Sequence, residues 1–203
     1  LFFIKKINVE KKILITGDDF DHHELHSITA SACDLVLSTD PLSVLKYKEK
    51  GYEAEVIHME YDPNFKTNVK KDLKKEIDVL FYGSLSADRK DFLNYISTSG
   101  INLKNVGHKE ATLGLSDDEL SKLILRSKII LNLSRTRTDV VKSYTSENIY
   151  KFFYQVKARV ISAGLNGIAC VSEYAPGHEL LFKEDELPTF HTKEECVEIL
   201  NKL

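Results

Sequence analysis

The sequence has few cysteines and no long apolar run, and each absence narrows the class of protein that it encodes. Its 203 residues include three cysteines, Cys33, Cys170 and Cys196, at spacings that fit neither a disulfide framework nor a zinc site. This cysteine usage is typical of a reducing compartment, so we expect a cytoplasmic protein. No apolar run approaches the roughly 18 residues that a membrane-spanning helix needs. Residues 1–4 are too few for the apolar region of a signal peptide.

An excess of charge of one sign is also lacking. The chain has 28 lysines and arginines against 31 acidic residues, and its formal net charge is −3. Without a global basic field, nothing attracts nucleic acid or an anionic membrane, and we expect neither as a partner. Hydrophobic residues make up 42% of the sequence, which is enough for a buried core.

The sequence instead contains a regular alternation of strand and helix patterns. Segments of helical periodicity alternate with short apolar runs at residues 12–17, 34–38, 55–59, 78–82, 103–106, 129–133, 168–171 and 187–190. Such alternation predicts an α/β fold with doubly wound, Rossmann-like parallel sheets. Asp40, Ser116 and Thr192 are placed to cap the starts of helices. A longer helix is predicted over residues 144–163, with a break near Val156.

The chain is predicted to contain two blocks joined by a hinge. Residues 1–68 form a partial Rossmann-like block, residues 69–75 a lysine-rich hinge, and residues 76–203 a second, more regular block. A whole domain in the place of the first block takes roughly 100–200 residues. We therefore expect the first block to be incomplete here. The sequence begins with Leu1 and not with a methionine. We therefore expect that the protein is either processed or part of a longer chain.

Residues 155–182 form the most specific stretch, QVKARVISAGLNGIACVSEYAPGHELLF. It predicts a basic helix, a Gly turn, a short buried strand and an acidic Pro-Gly loop. Lys157 and Arg159 lie near the start of this helix. Glu173 lies just past the carboxyl end of the strand, where ligands bind in open α/β sheets. Two cations and a carboxylate at this edge suit a ligand with a diphosphate and several hydroxyls, which is the chemistry of a nucleotide-sugar.

This stretch resembles the closing half of the donor-binding domain of GT-B glycosyltransferases, and it is most similar to the group 1 relatives that include spore-coat (CgeB-like) enzymes. The matching residues are Lys157, Arg159, Gly167, Ser172, Glu173, Pro176, Gly177 and Glu179. The resemblance implies that residues 76–203 bind a nucleoside-diphosphate sugar and that residues 1–68 are on the acceptor side. It implies transfer of the sugar to a hydroxyl acceptor, with no bound cofactor or metal.

The sequence departs from these relatives at Ser162. The relatives usually have a glutamate at this position, and by the resemblance that glutamate binds the ribose hydroxyls of the nucleotide. A serine offers a neutral hydroxyl there and supplies no charge.

A further phosphate-binding position is predicted at Gly83 and Ser84, in the turn that follows the first strand of the second block. A glycine in such a turn lets backbone N–H groups approach a phosphate, and Arg89 near the start of the next helix adds a cation. The alternative is an ordinary tight turn beside a surface arginine.

The remaining donor-binding candidates have similar alternatives. Lys157 and Arg159 are either exposed helix charges or, as the resemblance implies, ligands of the diphosphate. By the same resemblance, Glu173 binds hydroxyls of the donor sugar. Asn132 and Ser134 follow the neighbouring strand and face the same rim. Asn132 is either a donor-binding residue or a turn residue bonded to local backbone.

A second dense cluster of polar residues is the segment DDFDHHELH at residues 18–26. Its histidines and aspartates indicate either a metal site or a catalytic acid–base group. The alternative is an acidic first helical turn with exposed histidines. Because the segment has no identifiable partner ligand downstream, we expect no metal site. Asp19 and His22 remain the candidates for a catalytic role.

Two classes of function therefore compete. The first is a nucleotide-sugar-dependent glycosyltransferase. The second is a non-catalytic nucleotide- or sugar-binding module that keeps the donor-domain fold, and Ser162 and the short first block favour it.

The polar residues 135–150 are either a substrate loop or a surface insertion.

Overall fold

Short apolar runs of the sequence form parallel strands throughout the residues that the structure describes. A computed structural model describes residues 2–17, 19–57, 73–108, 115–135 and 154–203. These residues belong to two compact units, of which the first contains residues 2–57 and the second the rest. Most of the predicted hinge, residues 69–72, lies outside the described residues, as does most of the predicted loop at residues 135–150.

The first unit contains a three-stranded parallel sheet in the order β1-β2-β3. Its elements are α1 (Phe2–Lys6), β1 (Ile13–Thr16), α2 (Asp19–Ala30), β2 (Leu35–Ser38), α3 (Pro41–Glu49) and β3 (Ala54–Val56). Apolar side chains of α2, α3 and the sheet form one core, in which Val36, Val44 and Tyr47 are almost fully buried. Helix α3 begins as predicted, because the Asp40 carboxylate accepts a hydrogen bond of 3.0 Å from the Ser43 backbone N–H.

The second unit contains a five-stranded parallel sheet in the order β5-β4-β6-β7-β8. Its elements are β4 (Ile77–Ser84), α4 (Ala87–Thr98), β5 (Leu103–His108), α5 (Asp117–Leu125), β6 (Ser127–Asn132), α6 (Ala158–Leu165), β7 (Ala169–Glu173), a 3-10 turn (His178–Leu180), β8 (Thr189–Phe190) and α7 (Lys193–Lys202). Capping boxes begin α5 at Ser116 and α7 at Thr192, as predicted.

Helices cover both faces of the second sheet. On one face, Leu93 of α4 and Leu200 of α7 pack with Phe81. On the other face, Ile124 of α5 and Val160 of α6 pack against alternate residues of the same strands. This arrangement confirms the prediction of an α/β fold with a doubly wound, Rossmann-like parallel sheet. Within the part of the chain that the structure describes, no helix is long and apolar enough to cross a bilayer.

One local prediction is confirmed where the structure describes it, and another is wrong. Residues 144–153 of the helix predicted over residues 144–163 lie outside the described residues. The break predicted near Val156 is present, because Tyr154 forms an antiparallel bridge with Arg135 and α6 begins at Ala158. The Gln155 N–H then donates to the Ser134 carbonyl at 3.1 Å. Lys157 is therefore the cap of α6 and not a residue within it.

The wrong prediction concerns the turn at Gly83 and Ser84. Both residues belong to β4, which continues beyond the predicted strand end. Their backbone pairs in register with Gly107 and His108 of β5. The sheet therefore extends two residues further toward its carboxyl edge, and the turn follows Ser84.

Candidate functional site

The sheet of the second unit has a topological switch point between β4 and β6. The chain leaves β4 for β5 on one side and then crosses back to β6 on the other side of β4. In open parallel sheets, ligands bind in the crevice outside the carboxyl ends of the strands at such a point. Gly83 and Ser84 end β4 there, and Asn132 ends β6. The fold therefore brings three of the predicted site residues to the expected edge.

Arg159 extends from the first turn of α6 to this same edge. Its Nη1 donates a hydrogen bond of 2.7 Å to Oδ1 of Asn132. Its Cζ lies 5.1 Å from the ring centroids of both Phe81 and Tyr82, in cation–π geometry. Burial lowers the pKa of Arg159 from its ordinary value, although a guanidinium stays charged in proteins. The predicted cation is thus largely enclosed and not an exposed helix charge.

Because Gly83 has no side chain, the Arg159 guanidinium can occupy the space beside it. A Cβ atom added to Gly83 would collide with Nη2 of Arg159. The φ angle of Gly83 is +128°, a conformation that strongly favours glycine. Nε of Arg159 is buried and has no hydrogen-bond partner among the described residues. Both the φ angle of Gly83 and the nearby side chain of Arg159 therefore require glycine at this position.

Arg89 approaches the switch point from the opposite helical layer. It lies on α4 and is 6% exposed, so it is not the surface arginine of the alternative interpretation. Its Nη1 donates to the Ser84 carbonyl at 2.9 Å, and its Nη2 donates to the Arg135 carbonyl at 2.8 Å. Arg89 therefore links the end of β4 to the segment that follows β6.

Glu173 ends β7 and is also buried, with 6% of its surface exposed. Its Oε2 accepts a hydrogen bond of 2.8 Å from the Arg135 backbone N–H. Its Oε1 lies 3.6 Å from Nη2 of Arg135, which also donates to the Tyr154 hydroxyl at 3.0 Å. Sequence reasoning did not single out Arg135. Its position directly after a buried strand, opposite an acidic residue on the next strand, is the signal that could have identified it.

A cleft of about 290 Å³ opens beside Arg89 and Glu173. Its described lining residues are Asp88, Arg89, Phe92, Leu133, Arg135, Glu173, His191, Thr192, Lys193 and Glu194. The cleft combines cations, carboxylates and an aromatic ring, so it offers groups for both phosphate and hydroxyl recognition. His191 and Lys193 are further residues that the sequence did not indicate.

Lys157 caps α6 and Ser162 lies within it, to either side of Arg159 in the sequence. Lys157 is half-buried and its Nζ donates to Oε1 of Gln155. Its side chain makes no capping hydrogen bond to the first turn of α6. The first backbone N–H groups of a helix carry partial positive charge that favours an anion. Ser162 is half-buried one turn further along the helix.

Asp19 and His22 lie in the first unit and differ in exposure. Asp19 is fully buried at the carboxyl ends of β1 and β2, while His22 is exposed and stacks on His26 with 5.7 Å between ring centroids. The Asp19 carboxylate accepts hydrogen bonds from Thr16, Ser38, His26 and Tyr47. Burial by itself would raise the pKa of Asp19, but these hydrogen bonds outweigh it and leave the pKa below its ordinary value.

These contacts give Asp19 a structural role, because they join β1, β2, α2 and α3. A catalytic role for either residue stays a prediction. Among the described residues, no group of three histidine, cysteine or acidic side chains is arranged to bind a metal ion.

The comparison with protein families agrees with this geometry. A family model described as glycosyl transferase-like matches residues 68–203, which is more than half of the chain and includes the whole second unit as described. The chain therefore belongs to the glycosyl transferase-like family. No curated protein matches the sequence.

Proposed function

We propose that the protein is a GT-B glycosyltransferase that moves a sugar from a nucleoside-diphosphate donor to a hydroxyl acceptor, and that it is related to the spore-coat (CgeB-like) enzymes. The observation that carries this proposal is the position of two arginines. Arg89 from α4 and Arg159 from α6 approach the same switch point from opposite faces of the sheet. Together they supply two positive charges where an open α/β sheet binds its ligand.

The diphosphate of the donor would lie over the ends of β4 and β6. Arginine side chains suit phosphate because they donate paired hydrogen bonds in a fixed plane. Lys157 and the first backbone N–H groups of α6 add positive potential on the same side. Charge that develops on the leaving diphosphate during sugar transfer would be stabilised by these preorganised groups, without need of a bound metal.

The donor sugar would lie beside Glu173, which lines the cleft of about 290 Å³. Its carboxylate is oriented by the backbone and side chain of Arg135, so that it presents fixed acceptors to sugar hydroxyls. Gly83 and Ser84 border the phosphate end of this site and Asn132 lies beneath Arg159. By the resemblance, residues 1–68 would belong to the acceptor-binding domain.

The proposed domain organisation is an acceptor-side block at residues 1–68, a hinge at residues 69–75 and a donor-binding domain at residues 76–203. The described end of the hinge, residues 73–75, belongs to the second compact unit, where Nζ of Lys75 donates to the Ser127 carbonyl at 2.9 Å. Cys33, Cys170 and Cys196 are all free thiols, which supports a location in the reducing cytoplasm.

Ser162 favours a second candidate, a non-catalytic binding module. Its hydroxyl occupies a half-buried position on α6 where the resembling enzymes carry a ribose-binding glutamate. Loss of that charge would weaken nucleotide binding and with it turnover. The module and the enzyme share the same fold and the same phosphate-binding edge.

Calorimetric titration with UDP, GDP, ADP and dTDP tests the shared part of both candidates. We expect one of these diphosphates to bind the full chain, and binding of none would overturn the nucleotide site. The corresponding nucleotide-sugars then separate the candidates. Release of diphosphate in the presence of a hydroxyl acceptor supports the transferase, while binding without release supports the module.

A further inference from the structure

Asn132 has a completely buried side chain whose two polar atoms are both engaged. Its Oδ1 accepts a hydrogen bond of 2.7 Å from Nη1 of Arg159. Its Nδ2 donates to Oγ of Ser134 at 3.0 Å and to Oγ of Ser172 at 2.8 Å. The exposed fraction of Asn132, Ser134 and Ser172 is zero. Asn132 therefore contacts neighbouring side chains and not the open cleft.

The two serines continue the network to the backbone of Glu173. Oγ of Ser134 donates to the Glu173 carbonyl at 2.7 Å, and Oγ of Ser172 donates to the same carbonyl at 2.9 Å. Asn132 and Ser172 are direct partners in the register of β6 and β7. A continuous set of buried hydrogen bonds thus connects the Arg159 guanidinium with the residue at the sugar end of the site.

The hydrogen-bonding capacity of these groups fixes the orientation of the Asn132 amide. Each serine hydroxyl has one hydrogen, which it gives to the Glu173 carbonyl, so only its lone pairs face Asn132. Asn132 must therefore direct its NH₂ group to the serines and its carbonyl oxygen away from them. The Arg159 guanidinium can only donate hydrogen bonds, and it donates one to this carbonyl oxygen of Asn132. A flipped amide would leave buried groups without partners, which is costly.

We infer that Asn132 is a positioning residue that fixes the Arg159 guanidinium at the switch point and does not itself bind the donor. Asn132 accepts a hydrogen bond from Nη1, at one corner of the guanidinium. The opposite edge, formed by Nε and Nη2, lies against Gly83, so that Nη2 occupies the space that a side chain at position 83 would fill. Nε on that edge is buried and has no partner among the described residues. Asn132 and Gly83 together hold the guanidinium at the carboxyl ends of β4 and β6, and its use in binding a diphosphate rests on the proposed function.

Nuclear magnetic resonance of the arginine side chains tests the positioning without any ligand. In the ¹⁵N-labelled full chain, the Arg159 signals are identified by their loss in Arg159→Lys. We expect restricted rotation of the Arg159 guanidinium in the native protein and free rotation in Asn132→Ala. Ser121→Ala, a buried serine on α5 away from this network, is the matched control and leaves the signals unchanged. Identical Arg159 signals in the native protein and in Asn132→Ala would overturn the inference.

A double-mutant cycle tests the consequence for binding. Its probe is whichever of UDP, GDP, ADP and dTDP binds the native chain. Asn132→Ala should weaken binding about tenfold when Arg159 is present, and less than twofold in the Arg159→Ala background. Equal losses in both backgrounds would show that Asn132 does not act through Arg159. If none of the four diphosphates binds, the proposed function fails, and the resonance experiment alone decides the positioning role.

Asn132→Asp keeps the inference testable if the alanine variant does not fold. The aspartate has the same size and accepts from Arg159, and the serine hydroxyls can rotate to donate to it. We expect the Arg159 signals to stay restricted while diphosphate affinity falls at least tenfold, because the added carboxylate neutralises the guanidinium. Free rotation of the Arg159 guanidinium in Asn132→Asp would contradict the inference, whereas unchanged affinity with restricted rotation would contradict only the proposed phosphate-binding role of Arg159.

Discussion

The guanidinium of Arg159 lies directly against the backbone of Gly83, in the space that any other residue at position 83 would fill with a side chain. This contact joins α6 to the carboxyl end of β4, two elements that are far apart in the sequence and adjacent in the fold. It places a positive charge at the switch point of the sheet.

Gly83→Ala should destabilise the protein. The φ angle of +128° costs a non-glycine residue about 1–3 kcal/mol, and the new Cβ must also displace Arg159. Thermal unfolding should show a clear fall in Tm. Gly164→Ala is the control, because a Cβ there meets nothing within 4 Å and alanine favours the helix. A Gly83→Ala variant as stable as Gly164→Ala would contradict the close approach.

Arg159→Ala should weaken binding of the nucleoside diphosphate by about 1.5–3 kcal/mol, the scale of a hydrogen bond to a charged group. It should also lower the free energy of unfolding, because Oδ1 of the buried Asn132 loses its partner. Calorimetry and thermal unfolding measure the two effects. Lys122→Ala, an exposed cation on α5, is the matched control. Unchanged affinity in Arg159→Ala would remove the residue from the site.

His23 should make the protein less stable in mild acid. Its ring is 5% exposed and packs on Tyr47 with 4.4 Å between centroids. Burial lowers the pKa of His23, and the charges of Lys50 and Lys46 lower it further against the smaller opposing effects of two nearby acids. Because the folded pKa lies below the unfolded value, the contribution to stability is complete above about pH 6.5 and is lost as the pH falls.

The expected slope for His23 is at most about 1.4 kcal/mol per pH unit. Unfolding measured between pH 8 and pH 5 should be less pH-dependent in His23→Phe, which keeps a ring against Tyr47. The difference at pH 8 gives the cost of the substitution itself. His178 adds to the native slope, since burial lowers its pKa as well. An identical slope in His23→Phe would refute the prediction.

Ser162→Glu should strengthen nucleotide binding if the ribose pocket has kept its geometry. A charged hydrogen bond is roughly twice as strong as the neutral one that Ser162 can make. Lys157 and Arg159 lie close in sequence on the same helix start and offset the added anion. Calorimetry compares the two proteins with the same diphosphate. Weaker binding in Ser162→Glu would favour the non-catalytic module over the transferase.

Local sequence patterns predicted the strands and caps well because these depend on neighbouring residues. Alternating apolar runs and capping residues at Asp40, Ser116 and Thr192 correspond to elements of the structure. The break near Val156 in the helix predicted over residues 144–163 has its physical cause in the pairing of Tyr154 with Arg135, which keeps the backbone before Ala158 out of the helix. Such pairing joins strand ends from different parts of the chain, and periodicity carries no information on it.

The candidate site was predictable in outline and not in its contacts. The position of Lys157, Arg159 and Glu173 at the edge of the sheet followed from their order around a buried strand. The direction of the Arg159 side chain did not, because it depends on the missing side chain of Gly83 and on the amide of Asn132. Both partners come from strands that precede Arg159 by many residues.

The shared carbonyl of Glu173 also constrains how this protein can evolve. Ser134 and Ser172 both donate to this carbonyl, so it determines the donor–acceptor direction of every hydrogen bond in the network. The carbonyl belongs to the backbone, and no substitution can remove it. A change at either serine or at Asn132 alone leaves a buried group without a partner. Substitutions at these three positions should therefore be correlated among related sequences. A substitution at one position should be tolerated only in a sequence in which another of the three has already changed.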